Sequence, residues 1–115
     1  MEEILNKFKE CFEEFQLVVD CSQGTKYEKY KEELVEIETK ATGKAIRFLE
    51  LSGDFQGQIE TEFIHIVSYG LISGLFDIIH MSLPKNISLK CFDKFYNIYT
   101  HGWHAILGLA DATTF

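Results

Sequence analysis

The stretch from about Ile59 to Met81 constrains this chain more than any other. Phe63, Ile64, Ile66, Val67, Tyr69, Leu71, Ile72, Leu75, Phe76, Ile78 and Ile79 leave it almost no polar side. Spaced as a helix it is apolar all round, and such a helix has to be covered all round. The chain is 115 residues long, the size of one domain, so its other helices are expected to cover only part of that circumference. Ser68, Gly70, Ser73 and Gly74 would let another backbone approach closely. The segment therefore reads as core on one side and subunit contact on the other.

The rest of the chain is also helical in its spacing. Pro84 is the only proline. From about Glu2 to Val19, Leu5, Phe8, Phe12, Phe15 and Val19 recur at steps of three and four, one stripe of one helix. Thr25-Lys26-Tyr27-Glu28 has the pattern of a capping box and opens a second helix. Its expected stripe is Tyr27, Tyr30, Leu34, Ile37, Ala41, Ala45 and Phe48, running to about Leu51. Gly43 marks a possible kink or break inside it. Ser52 to Gln58 reads as a loop. The last helix runs from near Asn86 or Ser88 to about Leu109, with Phe92, Tyr96, Tyr99, Trp103 and Ile106 on one stripe and Phe95, Ile98, Gly102 and Leu109 on another. The expected fold is all-α: a bundle of four to five helices over residues 1–109, with the tail 110–115 frayed. The last two helices would form a four-helix bundle across a twofold dimer, through Gly70, Gly74, Ile78, Phe95, Tyr99, Gly102, Trp103 and Ile106.

Charge supports that division. Residues 1–50 hold twelve acids and eight bases, residues 51–115 six and three. The net charge of −7 and the lack of an uninterrupted basic stretch exclude duplex nucleic acid as a partner of this chain. The acidic run from Glu28 to Glu38 reads as a solvated helix face. Ten Phe, five Tyr and one Trp exclude disorder. No apolar run is expected to reach the ~20 residues that span a bilayer, and acids at Glu2 and Glu3 do not suit a secretory leader. Cys11, Cys21 and Cys91 make no Cys-x-x-Cys pair and read as thiols of a reducing cytosol, the expected location.

Chemistry-bearing motifs are few. His101 and His104 are three apart, a possible metal-pair spacing, but no Glu-x-x-His or His-Glu-x-x-His pattern accompanies them, so no metal or cofactor is expected. Asp77 is spaced to hold His80. No nucleophile elbow, phosphate loop or paired-carboxylate pattern is present, and the chain does not read as an enzyme. Phe12, Phe15, Tyr30, Leu34, Phe48, His65 and Tyr69 combine apolar walls with polar tips, as a small-molecule pocket does. Spacing alone favours plain core over a pocket for the same residues.

Two stretches carry a family resemblance. Ser22-Gln23-Gly24-Thr25-Lys26-Tyr27-Glu28-Lys29-Tyr30 runs into Glu33-Leu34-Val35-Glu36-Ile37-Glu38. Glu62-Phe63-Ile64-His65-Ile66-Val67-Ser68 is followed at a distance by Ile98-Tyr99-Thr100-His101-Gly102-Trp103-His104-Ala105-Ile106-Leu107. Together these resemble the C-terminal part of TetR-family transcriptional regulators, in which a Gly-Trp near the end of the last helix recurs. The resemblance implies an effector-sensing domain that dimerises through its last two helices. It also implies an N-terminal helix-turn-helix half that nothing in this chain matches, so the expectation is a regulatory domain separated from its DNA-binding half by excision, proteolysis or a truncated reading frame. The implied partners are a second copy and a small apolar or aromatic effector, with no membrane. A stand-alone dimeric adaptor is the alternative.

Overall fold

The recurring steps of three and four become five helices: α1 (Glu3–Glu10), α2 (Phe12–Cys21), α3 (Thr25–Ser52), α4 (Thr61–His80) and α5 (Lys85–Leu107). The computed structural model describes residues 3–21, 25–55 and 57–109, and no strand occurs among them. The tail from 110 onward and the side chain of Thr25, with its expected capping box, lie outside the described residues.

The first stripe falls on two helices rather than one. Cys11 forms a turn between α1 and α2, yet helical hydrogen bonds run through it, from Cys11 N–H to the Lys7 carbonyl and from Phe15 N–H to the Cys11 carbonyl, both at 2.9 Å. The pair therefore keeps one phase, and Leu5, Phe8, Phe12, Phe15 and Val19 are all buried. Their rings interlock: Phe8 stacks on Phe15 at 4.3 Å, and both meet Phe76 of α4 edge-on.

α3 is unbroken for 28 residues, Gly43 included. Its buried face is not the expected one. Leu34, Val35, Glu38, Thr42 and Ile46 are inside, whereas Ile37, Phe48 and Leu51 are exposed. At 100° per residue the buried stripe is turned by roughly a quarter turn from the all-apolar one. The larger apolar side chains of α3 are thus divided between two faces. α3 closes at Gly53, whose φ of 84° is the left-handed conformation that ends helices, with Asp54 N–H on the Leu49 carbonyl.

α4 is the centre, packed on α2, α3 and α5. Its Ile72, Leu75, Phe76 and Ile79 are wholly buried. This corrects an expectation from the sequence, that a single copy leaves much of Ile72, Phe76, Ile79, Phe95 and Trp103 facing water: α2 and α3 on one side and α5 on the other bury Ile72, Phe76, Ile79 and Trp103 within one chain, and Phe95 is half-buried. It also corrects the expectation on apolar length, because α4, with a mean hydropathy of 1.5, is long and apolar enough to cross a membrane by length and composition. The bundle is a slab, 46 × 29 × 17 Å. Its thin dimension corresponds to about two helix layers at 8–10 Å spacing, and this leaves the outer sides of α4 and α5 uncovered.

Candidate functional site

The uncovered side of α4 and α5 is apolar. Ile66 is 64% and Ile98 70% exposed, and Phe63 and Ile106 also reach solvent. Phe63, Val67, Ile98, Gly102 and Ile106 rim a shallow groove of about 250 Å³ with Tyr99 and Trp103 at its floor. Phe63 meets the Trp103 indole edge-on at 5.8 Å. Gly70 and Gly102 are exposed, with nothing within 4 Å of where a Cβ would stand. Among the residues expected at a dimer contact, Gly70, Gly102 and Ile106 lie on this surface, and Ile78 and Phe95 are half-buried beside it. Tyr99 and Trp103 are buried. Gly74 serves a contact within the chain, because a Cβ there would run into the Phe95 ring.

The seven residues expected around a ligand are not brought to one cavity. Phe12, Phe15 and Leu34 are core. Tyr30 is half-buried with its ring stacked on Phe15 at 5.8 Å, and Phe48 faces solvent at 68% exposure. The stripe that suggested a pocket is ring-to-ring packing, which fills the space a ligand would need. His65 and Tyr69 lie elsewhere, in an open groove between α3 and α4 of about 610 Å³ that also takes in Glu32, Val35, Glu36, Thr39, Lys40 and Thr61. There the Lys31 ammonium sits 4.7 Å above the Tyr69 ring and donates to its hydroxyl at 3.3 Å.

A polar network runs through the bundle where the sequence suggested only a solvated face. Glu38 is 1% exposed. Its Oε2 accepts from the Tyr99 hydroxyl at 2.7 Å and from Thr42 Oγ1 at 3.3 Å. The Tyr99 and Thr42 hydroxyls are themselves 3.3 Å apart, and Trp103 hydrogen-bonds to the Tyr99 side chain. Burial holds the Glu38 carboxyl above the usual carboxylate range, against the pull of those two hydroxyls. Burial and the nearby Glu38 charge raise Tyr99 as well. The signal that marks Glu38 is its register: Leu34, Glu38, Thr42 and Ile46 follow one another at steps of four, on one face of α3. Beside Glu38, between α1 and α3, is a cavity of about 160 Å³.

No protein-family model, curated protein or solved structure matches this chain.

The histidines are divided. His101 is exposed, with Nδ1 2.8 Å from the Asn97 carbonyl, whereas His104 is buried. His80 meets the Tyr27 ring edge-on at 5.8 Å. Among the described residues no three His, Cys, Asp or Glu side chains are grouped to hold a metal ion. Cys11 and Cys91 are free, half-buried thiols.

Proposed function

We propose that this chain is the effector-sensing and dimerisation domain of a TetR-like transcriptional regulator, paired with a second copy through the outer sides of α4 and α5. The observation that carries the reading is the uncovered apolar face of Phe63, Ile66, Ile98 and Ile106, in which Gly70 and Gly102 leave the helix backbones open to close approach. It lies on the last two helices, where the resemblance in Ile98 to Leu107 puts the contact. The groove on this face is lined by apolar and aromatic side chains and Gly102, as suits a contact buried in a lasting dimer. In this reading the chain is cytoplasmic, is not an enzyme, and reaches DNA only through a separate domain. A small effector acts by favouring one arrangement of the helices.

Sedimentation equilibrium tests the reading. The native chain is expected at twice its 13.3 kDa mass at micromolar concentration, and Ile98→Glu at the monomer mass with its helical content kept. A native chain that sediments as a folded monomer would overturn it. One observation favours the adaptor reading instead: Ile37, Phe48 and Leu51 are exposed on α3, a helix outside the proposed α4–α5 contact. An adaptor uses that face, so Phe48→Ser would abolish capture of its protein partner while leaving the dimer mass unchanged.

A further inference from the structure

The cavity at the seam of α1 and α3 is lined by Ile4, Leu34, Ile37 and Ala41, with Glu38 at its inner end and Glu3 and Lys7 from α1. Among the described residues no cationic side chain pairs with Glu38. Its Oε2 is nonetheless set up for a negative charge. Two hydroxyls converge on it, and hydroxyl donors stabilise the ionised form of a carboxyl group. A buried carboxylate furnished with donors and with no ion-pair partner among the described residues is placed to take up a cation. The cavity beside it has the volume that accommodates a benzene-sized molecule. Two acids and one base among its lining groups leave one negative charge to be matched.

We propose that this cavity is a binding site for a small organic cation, an alkylammonium of about six to eight heavy atoms, with Glu38 as its counter-charge. The ammonium group meets the Glu38 carboxylate and the alkyl part lies against Ile4, Leu34 and Ile37. The same carboxylate holds the Tyr99 hydroxyl, and Tyr99 and Trp103 form the floor of the groove on the outer side of α5. A cation drawn to Glu38 competes with Tyr99 for its charge, so occupancy of the cavity is felt at the proposed dimer face. This consequence rests on the sensory reading above, whereas the site itself does not.

The test uses cyclohexylammonium chloride, with cyclohexanol as its neutral counterpart and sodium chloride at matched ionic strength, read by thermal melting and calorimetry on the full chain. The expected result is saturable stabilisation by the ammonium ion and at least tenfold weaker binding of the alcohol. Glu38→Gln keeps an acceptor for Tyr99 but loses the charge, and is expected to remove the preference between the two. Ala41→Leu fills the cavity while keeping the Glu38 carboxyl group and is expected to abolish binding of both, which decides the matter if Glu38→Gln does not fold. The titration is repeated at pH 7 and pH 9, because the charge of the amino terminus also favours the ionised Glu38. Equal binding at both pH values supports the site, whereas binding at pH 9 alone makes the amino terminus the counter-ion and overturns it. Equal affinity for alcohol and ammonium, binding unchanged in either variant, or no binding to the folded native chain overturns it too. Sedimentation of the same samples keeps the two proposals apart. A monomer that binds the ammonium ion refutes only the dimer, and a dimer that ignores it refutes only the site.

Discussion

Burial holds Glu38 away from the ordinary protonation balance of a carboxyl group. Burial raises its pKa, so the folded chain binds that proton more tightly than the unfolded chain does. The sign follows. The favourable contribution is fully present below the unfolded value of about 4.5 and is lost as pH rises through the higher folded one. Compared with Glu38→Gln, whose side chain does not titrate, the native chain should be relatively most stable near pH 4 and lose ground as pH rises from there through the folded value. Chemical denaturation of both proteins across that range checks it, and a constant difference between them would show that Glu38 keeps its ordinary pKa. Glu38 was legible only in part. The acidic run Glu28 to Glu38 has the composition of a solvated face, and four of its five acids stand there: Glu28, Glu32, Glu33 and Glu36 are exposed, with Glu38 the exception. Composition averages over a helix turn, whereas burial is decided by phase, and Glu38 is in phase with Leu34, Thr42 and Ile46.

At the scale of the element, helix positions were legible because steps of three and four mark a face whatever that face packs against. The five helices follow those steps closely, and α3 runs through Gly43 because tertiary packing along 28 residues outweighs a local cost of about 1 kcal/mol. What a face packs against was less legible. Phe12, Phe15 and Tyr30 have the same spacing whether they line a ligand or one another, and only the ring contacts tell which. The glycines of α4 make this testable. Gly74→Ala puts a methyl group into the Phe95 ring, so it should destabilise the chain by about 1–2 kcal/mol despite the gain in helix propensity. Gly70 has open space in the single chain. In the Ile98→Glu background, where pairing is blocked, Gly70→Ala should stabilise by up to about 1 kcal/mol through propensity alone. In the native chain the same methyl group stands between two subunits and should weaken association. If Gly70→Ala has the same effect in both backgrounds, Gly70 is not at the contact.

The whole molecule has a core of its own and a face without one. The rings of Phe8, Phe15, Phe76 and Phe92 are buried by a single chain, so pairing adds to a fold that already exists, and the monomer is not left without a core. That distinction sets the shape of the last prediction. While the chain is dimeric, unfolding releases two subunits, and each tenfold dilution removes about 1.4 kcal/mol per dimer. For roughly 230 residues melting together, that lowers the midpoint by about 3–5 °C. Below the dissociation constant the dimer is already apart, and the midpoint should stop falling, because Ile72, Leu75, Phe76 and Ile79 remain covered by α2, α3 and α5. The native melting curve should therefore slope with concentration and then level. Ile98→Glu should begin on that level and ignore dilution throughout. An obligate dimer would show the slope with no level, and its Ile98→Glu variant would not fold. A native midpoint as indifferent to dilution as that of Ile98→Glu would mean that the apolar face of α4 and α5 does not pair with itself.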